Sequence, residues 1–306
     1  MPIPLIANPV YSFPFPAQHR FPMEKFALLQ AYVAEQGWLE NNPFYRPGRA
    51  SIGLLEFAHC PAYLQRFIHN QQSPAELKAM GLPWSEALVR RTLISPNGTL
   101  LTALLALEKG IACHLAGGTH HAHRDFASGF CILNDLAVAA LALIKQRRVK
   151  RVLIFDCDVH QGDGTARILN THADIFTCSI HCEDNFPSEK AQSNLDVALP
   201  RGTQTAAYLS SVHTTLKQAI RLSQPDIMLY DAGVDIYVQD PLGHFAVSEA
   251  GIYQRDLSVL NTCKSLGIPV ATVIGGGYDD NRAALAARHA LVIKAAIEVF
   301  AQKRNY

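Results

Sequence analysis

The chain has 306 residues, with 27 Lys and Arg against 26 Asp and Glu, which gives a formal net charge of +1 at pH 7. This balance excludes the diffuse basic field of a protein that coats nucleic acid or an anionic membrane. Hydrophobic residues make up 49% of the chain and charged residues 17%, which excludes intrinsic disorder and predicts a large buried core.

The predicted elements change character near residue 110. Before it the sequence is mostly helical, with helices predicted over residues 24–36, 61–69, 85–95 and 97–109. After it, short apolar strands predicted over 111–115, 151–155, 175–180, 226–230 and 269–274 alternate with helices over 134–147, 204–222, 248–265 and 282–300. This alternation predicts right-handed βαβ crossovers and a central, mostly parallel sheet between helices. Because no composition break separates the two parts, we expect a single three-layer α/β/α domain over residues 1–306.

Several features indicate where the protein resides. The seven cysteines are scattered without a CxxC pair, mostly in apolar surroundings, which predicts reduced, buried thiols. Residues 1–16 lack a basic region and are interrupted by prolines, so we expect no signal peptide. The longest apolar run, Leu136–Ile144, has nine residues, well short of the ~20 needed to span a bilayer. We therefore expect a soluble, cytoplasmic protein with no membrane or nucleic-acid partner.

The most informative segment is Phe155–Gly164 (FDCDVHQGDG), at the end of a predicted strand. Asp156, Asp158 and His160 are spaced two apart, so strand alternation points them to one side of the sheet. Buried carboxylates and an imidazole that converge need a cation to hold them together. This set of side chains is suited to Zn²⁺ or another divalent metal. The alternative is a polar turn that caps the next helix, which the density of the cluster disfavours; Asp163 adds one more carboxylate.

Paired histidines follow the strand predicted at 111–115, on a glycine-rich turn (GGTHHAH, residues 117–123). The near-neutral pKa values of His120 and His121 suit proton transfer. A histidine pair taken alone is often a surface accident, but beside the acidic strand end it indicates an acid–base element. His123 is expected to be loop structure.

Two later strand ends also carry polar groups. Asp231 and Asp235 follow the strand at 226–230, and either can complete a three-ligand site with Asp158 and His160. The last predicted strand is followed by three glycines, which let a backbone approach a ligand closely. Tyr278 comes directly after them, so its hydroxyl can reach the same edge of the sheet.

These segments together resemble a known family. GGTHHA, SGFC-LND, DCDVHQGDGT, DAGVD and GGGY occur in the order and at about the spacing seen in the histone deacetylase-like amidohydrolases of the arginase/deacetylase superfamily. HRFPMEKF at residues 19–26 is similar to the opening of class IV and bacterial members. The resemblance covers the chain from about residue 11 to 295. It implies zinc-dependent hydrolysis of the amide of an acyl-lysine peptide or protein, or of a small acylated amine.

The resemblance implies two cation sites. The implied Zn²⁺ ligands are Asp158, His160 and Asp235, which leaves Asp231 with a structural role. A monovalent cation, usually K⁺ in this family, is implied close to the zinc ligands. Its implied ligands are the backbone carbonyls of Asp156, Asp158, His160 and Ile180 and the hydroxyl of Ser179.

The resemblance also implies the catalytic groups. His121 is the base that takes the proton of the attacking water and returns one to the leaving amine, and His120 tunes the electrostatic field. Asp156 is expected to hold His120, and Asp163 to hold His121. Tyr278 is the expected hydrogen-bond donor to the oxyanion.

The implied substrate site is a tunnel for the acyl-lysine side chain. Phe130 and Phe186 are its expected walls, and the Gly129 carbonyl is the expected acceptor for the substrate amide. Thr119 and Gln161 stand where many family members have a large apolar residue and a second histidine, so substrate choice cannot be copied from any one relative.

Two other functions remain open from the sequence. One is a ureohydrolase-like enzyme with two Mn²⁺ ions, which the tandem histidines and Tyr278 disfavour. The other is a non-catalytic scaffold that binds acyl-lysine without hydrolysing it, which the complete set of catalytic groups disfavours.

Overall fold

The computed structural model describes residues 2–301 and is built on one eight-stranded sheet. Its strands are β1 (Leu5–Ile6), β2 (Phe44–Tyr45), β3 (Ile111–His114), β4 (Val152–Asp156), β5 (Ile175–Cys182), β6 (Leu195–Leu199), β7 (Ile227–Asp231) and β8 (Val270–Val273). They lie in the order β2-β1-β3-β8-β7-β4-β5-β6, and every neighbouring pair is parallel. The predicted α/β class with a mostly parallel sheet is confirmed.

Twelve helices and one 3₁₀ turn at Pro9–Tyr11 complete the regular structure of residues 2–301. The helices are α1 (Lys25–Glu35), α2 (Ile52–Leu55), α3 (Pro61–Ile68), α4 (Pro74–Met80), α5 (Glu86–Thr92), α6 (Ser95–Lys109), α7 (Asp135–Lys145), α8 (Asp163–Leu169), α9 (Thr205–Ser223), α10 (Glu249–Leu266), α11 (Arg282–His289) and α12 (Leu291–Ala301). None of the helices within residues 2–301 is long and apolar enough to cross a bilayer.

The helices form a layer on each face of the sheet. The crossover from β3 to β4 through α7 runs across the sheet in one direction, and those through α9 and α10 run back. Right-handed crossovers of opposite direction place their helices on opposite faces. Accordingly α7 packs on α6, while α9 and α12 pack on α10. The three-layer arrangement is confirmed, and its extension over residues 1–306 as one domain stays a prediction.

The central strands are buried along their whole length. Every residue of β4, β7 and β8 is buried, as expected of parallel strands covered on both faces. The seven cysteines are all free, and six of them are buried, which confirms the expected buried thiols.

The sequence-based elements differ from the structure at several points, which include the short helices α2, α4 and α8 that were not predicted. The first 110 residues contribute strands β1 and β2, whose two residues each are too few to give a periodic signal. Strand β6 was also missed, because it lies at the sheet edge and alternates between half-buried and exposed residues. The helix predicted over 282–300 is two helices that meet at Ala290.

The topology brings the candidate residues together. Strands β3, β8, β7 and β4 are consecutive neighbours in the sheet, and their carboxyl ends meet at one edge. Ligands of open parallel sheets bind at this edge. The four polar segments identified in the sequence follow these four strands.

Candidate functional site

A buried cluster of three side chains lies beyond the ends of β4 and β7. His160 Nδ1 lies 3.0 Å from Asp158 Oδ1 and 3.1 Å from Asp235 Oδ2, and the three ligand atoms are within 4.8 Å of one another. The remaining carboxylate oxygens accept backbone N–H groups, Asp235 from Val159 at 2.9 Å and Asp158 from Gly276 at 2.7 Å. The carboxylates are therefore held with their free lone pairs directed at the histidine.

The charge of this cluster fits a divalent cation. Burial and the nearby Asp158 carboxylate raise the pKa of Asp235 to about 6. Burial opposes a charged His160, but its contacts with Asp158 and Asp235 outweigh burial and raise the pKa of His160 to about 10. The cluster thus favours positive charge at its centre, and two carboxylates with one imidazole are a donor set typical of Zn²⁺.

His120 is held behind this cluster by a carboxylate. Its Nδ1 lies 2.7 Å from Asp156 Oδ2, and both side chains are buried. Asp156 therefore faces His120, whereas Asp158 and His160 face Asp235, so the three polar residues after β4 divide between two groups. Burial opposes a charged His120, but the carboxylates of Asp156 and Asp158 outweigh it and raise the pKa of His120 well above its usual value.

His121 is held by a second carboxylate, at the first residue of α8. Its Nδ1 lies 2.6 Å from Asp163 Oδ1, and the rings of His120 and His121 are 4.1 Å apart. Burial, then the charges of His120 and His160, lower the pKa of His121 to about 4. His121 is therefore neutral near pH 7 and able to accept a proton.

His123 lies in a loop, as expected, but it also contacts the carboxylate that holds His121. It is buried, its Nε2 lies 3.0 Å from Asp163 Oδ2, and its ring stacks on Phe126 at 4.1 Å. Asp163 is thus fixed from both sides, by His121 and by His123. The H-x-H spacing at residues 121–123 was visible in the sequence. It does not indicate, however, that the two histidines share a carboxylate partner.

Gly129, Phe130 and Phe186 surround the approach to His121. Gly129 and Phe130 have φ angles of +52° and +66°, a left-handed backbone that a residue such as Phe rarely adopts. A Cβ on Gly129 would lie 2.7 Å from the His121 ring and 2.9 Å from the Phe186 ring. The Phe186 ring meets His121 edge to face at 4.8 Å. Only glycine keeps this passage open.

Tyr278 closes the other side of the same cavity. A cavity of about 40 Å³ is lined by Tyr278 together with His120, His121, Asp158 and His160. The Tyr278 side chain is buried, and its ring lies 6.1 Å from that of Phe130.

Asp240 is a further residue of the site, and the sequence alone did not indicate it. Its Oδ2 accepts the backbone N–H of Tyr278 at 2.7 Å, and its Oδ1 accepts those of Leu242 and Gly243 at 2.9 Å. The DPLG sequence that begins at Asp240 is typical of a turn that an Asp side chain stabilises. This pattern could have predicted the turn. Asp240 therefore joins the turn that follows Asp235 to the backbone of Tyr278.

Asp231 is buried and unpaired. Neither carboxylate oxygen has a hydrogen-bond partner among the described residues, and it lies with His120 and Asp156 in a second group of closely spaced ligand atoms. Burial and the charge of Asp156 raise its pKa well above its usual value, which favours a neutral carboxyl group. Its structural role stays a prediction.

The residues expected to hold a monovalent cation lie on adjacent strands. Asp156 of β4 is in register with Ser179 of β5, and Ile180 follows in the same strand. The Ser179 hydroxyl lies 3.0 Å from His181 Nδ1. The cation itself stays a prediction.

Asp135, also missed from the sequence, anchors the turn that carries the histidines. Its buried carboxylate accepts four hydrogen bonds, from Gly118 N, from Thr119 N and Oγ1, and from Thr99 Oγ1. Asp135→Ala is expected to lower the free energy of unfolding by about 3 kcal/mol, because buried donors lose a charged acceptor. Chemical denaturation measures this, with the exposed Asp125→Ala as the matched control. A loss within about 0.5 kcal/mol of the control would contradict the anchoring role.

Comparison with known proteins identifies the family. The model of the histone deacetylase domain matches residues 19–294. An uncharacterized protein of Picosynechococcus sp. is 45% identical over 98% of this chain and 100% of its own length. Histone deacetylase 2 of Arabidopsis thaliana is 29% identical over 85% of this chain and 70% of its own length. The acetoin utilization protein AcuC of Staphylococcus aureus is 28% identical over 89% and 75%.

Solved structures share the fold. The crystal structure of an HDAC homolog complexed with SAHA has a TM-score of 0.82 at 22% identity, covering 99% of this chain and 85% of that chain. The HD domain of HDA15 has a TM-score of 0.78 at 20% identity, covering 98% and 91%. With the family model matching most of its length and the predicted motifs meeting at one edge of the sheet, this chain belongs to the histone deacetylase family.

Proposed function

We propose that the protein is a zinc-dependent amidohydrolase that removes the acyl group from acyl-lysine or a related acylated amine. The observation that carries the proposal is one cavity lined by two members of the ligand cluster, Asp158 and His160, by two histidines held by carboxylates, and by a tyrosine. Membership in the histone deacetylase family supports the same chemistry.

Asp158, His160 and Asp235 are the residues that would hold Zn²⁺. When bound, Zn²⁺ acts as a Lewis acid that polarises the substrate carbonyl and lowers the pKa of water toward ~7. Their buried position and the backbone hydrogen bonds to Asp158 and Asp235 orient the ligands before the metal arrives. Such preorientation supports a fixed coordination geometry.

The two histidines take different parts in proton transfer. His121, whose pKa burial lowers, accepts the proton of the attacking water at its free ring nitrogen and returns one to the leaving amine. Asp163 orients this ring through Nδ1. His120, which its carboxylate neighbours keep charged, adds positive potential where negative charge develops.

The substrate is held by the passage between Phe130 and Phe186. Two aromatic walls suit the apolar stem of an acylated lysine, and the Gly129 carbonyl is proposed to accept the amide N–H. Tyr278 would donate its hydroxyl hydrogen to the oxyanion, and Asp240 positions Tyr278 through the backbone.

Tyr278→Phe tests the oxyanion donor. We expect kcat to fall about 10²–10³-fold with zinc content unchanged, because one hydrogen bond made in the transition state is lost. Steady-state kinetics with metal analysis measures both quantities. Tyr32→Phe on α1 is the control; kcat of the Tyr278 variant close to that of the control would assign the donor role elsewhere.

One observation favours the binuclear alternative. His120, Asp156 and Asp231 form a second group of ligand atoms within 4.8 Å of one another, next to the first. In this structure, however, His120 and Asp156 are hydrogen-bonded to each other at 2.7 Å, which is the arrangement needed for the deacylase.

The substrate that is hydrolysed distinguishes the deacylase from the ureohydrolase and from the non-catalytic scaffold. Protein loaded with either Zn²⁺ or Mn²⁺ is assayed against an acetyl-lysine peptide, an acetylated polyamine and a guanidino compound. The proposal predicts hydrolysis of an acylated amine by the zinc form. Urea release with two Mn²⁺ per chain would favour the ureohydrolase, and binding without hydrolysis would favour the scaffold.

We further propose that K⁺ binds at the backbone carbonyls of residues 156, 158, 160 and 180 with the Ser179 hydroxyl. The register of Asp156 against Ser179 supports this site.

We also propose that the enzyme acts in the cytoplasm. The free state of all seven cysteines is consistent with a reducing compartment.

A further inference from the structure

The passage to the active site opens into a broad groove of about 760 Å³. Much of its lining is apolar and comes from Ala75, Ala79, Phe130, Phe186, Pro241 and Leu242. Since His121, His160 and Tyr278 also line it, the groove must receive the part of the substrate that carries the acylated amine.

Two cationic side chains stand on one side of this groove. Arg20 precedes Phe21 in the N-terminal loop, and Lys78 lies on α4; both are exposed and line the groove. The two segments are joined, because His19 Nε2 lies 2.9 Å from the Gly81 carbonyl just after α4. The cations therefore share one rim beside the Phe130 wall.

Neither cation is neutralised by the protein. Within residues 2–301, neither Arg20 nor Lys78 forms an ion pair, and no Asp or Glu is among the residues that line the groove. Glu76 on the same helix is committed to Arg66 at 2.8 Å and to the helix N-terminus at Ser73.

The segments at residues 185–186 and 242–244 add no carboxylate to the groove. They contribute Asn185, Phe186, Leu242 and His244 to its lining. Burial and the nearby Arg201 lower the pKa of His244, so its ring is neutral at pH 7. Asp184 precedes Asn185 but lies outside the lining, and its charge acts near His244 together with Arg201.

We propose that this groove selects acylated amines whose carrier has apolar groups and carboxylates close to the acylated lysine, and that it disfavours polyamines and basic histone tails. The inference rests on the proposed deacylase function and names its substrate class. A basic carrier would bring like charges to Arg20 and Lys78, whereas an acidic one would pair with them above an apolar floor.

Two matched peptides test the proposal. Both carry acetyl-lysine between leucines, flanked in one by Glu and in the other by Lys. We expect kcat/KM of the acidic peptide to exceed that of the basic one by about 3- to 10-fold at low salt, which lies within the range for two exposed charge pairs. The ratio should shrink at 1 M salt, where the Debye length falls to about 3 Å.

Two double variants that remove the same charge test whether the peptide preference comes from Arg20 and Lys78, which form the rim. Arg20→Gln with Lys78→Gln should bring the ratio of the two peptides close to 1. Arg148→Gln with Lys150→Gln removes the same charge from exposed positions before β4, at the opposite edge of the sheet, and should keep the ratio.

Binding provides a readout that does not need turnover. Fluorescence anisotropy with labelled versions of the same peptides should give the same order of Kd values and the same response to the rim variant. Equal affinities for both peptides, preference for the basic one, or a ratio unaffected by the rim variant would overturn the inference. Selective binding without hydrolysis would instead contradict the deacylase function and leave the rim assignment standing.

Discussion

His160→Ala is expected to remove both the bound metal and the activity. The imidazole is the one nitrogen donor of the cluster, 3.0 Å and 3.1 Å from its two carboxylate partners. Without it, two buried carboxylates face each other with no third ligand. Turnover should fall at least about 10³-fold, because metal charge stabilisation contributes several kcal/mol and about 1.4 kcal/mol changes a rate tenfold.

Metal analysis by mass spectrometry and a deacylase assay measure this effect. His213→Ala, an exposed histidine on α9, is the matched control and should keep both metal and activity. Asp235→Asn serves as an independent variant if His160→Ala folds poorly. A folded His160 variant that retains one zinc per chain would show that the metal is held elsewhere.

His121→Ala is expected to lower kcat about 10²–10⁴-fold while zinc stays bound, as loss of a general base does. His121 lies next to the cluster without contributing to it, since its Nδ1 is engaged by Asp163 at 2.6 Å. Its pKa, lowered to about 4 by burial and by the charges of His120 and His160, keeps it available as a base at neutral pH.

Single-turnover kinetics on the zinc-loaded variant measures the chemical step directly. The exposed His69→Ala serves as the control. A chemical step within a few-fold of the unmodified protein would mean that another group accepts the proton, and loss of zinc would place His121 in the metal site instead.

The sequence predicted the site better than the outer parts of the fold. Strands β4, β7 and β8 are buried on both faces, so they appear as continuous apolar runs, and the polar residues after them stand out. Because parallel strands share their carboxyl edge, the sequence alone predicted that these residues lie close together. The short strands β1 and β2 and the edge strand β6 lack such runs and were missed.

The supporting residues could not be identified from local pattern, because their partners are distant in the chain. Asp135 accepts from Thr99, 36 positions away, and Asp240 accepts from Tyr278, 38 positions away. His123 contacts Asp163, 40 positions away. Such contacts depend on how the strand ends meet, which periodicity does not encode.

Between Asp231 and Asp235, the residues alone did not identify the metal ligand. The structure separates them: Asp235 lies 3.1 Å from His160, whereas Asp231 lies beside His120 and Asp156 with no hydrogen-bond partner among the described residues. This arrangement supports Asp235 as the proposed ligand.

The proposed function requires that one metal ion at Asp158, His160 and Asp235 enables hydrolysis of an acylated amine. Its most direct test is a titration of metal-free protein with Zn²⁺, followed by hydrolysis of an acetyl-lysine peptide. We expect activity to rise with added zinc and to level off at one equivalent per chain. Activity that is absent at one equivalent, or that appears only with a second metal ion, would contradict it.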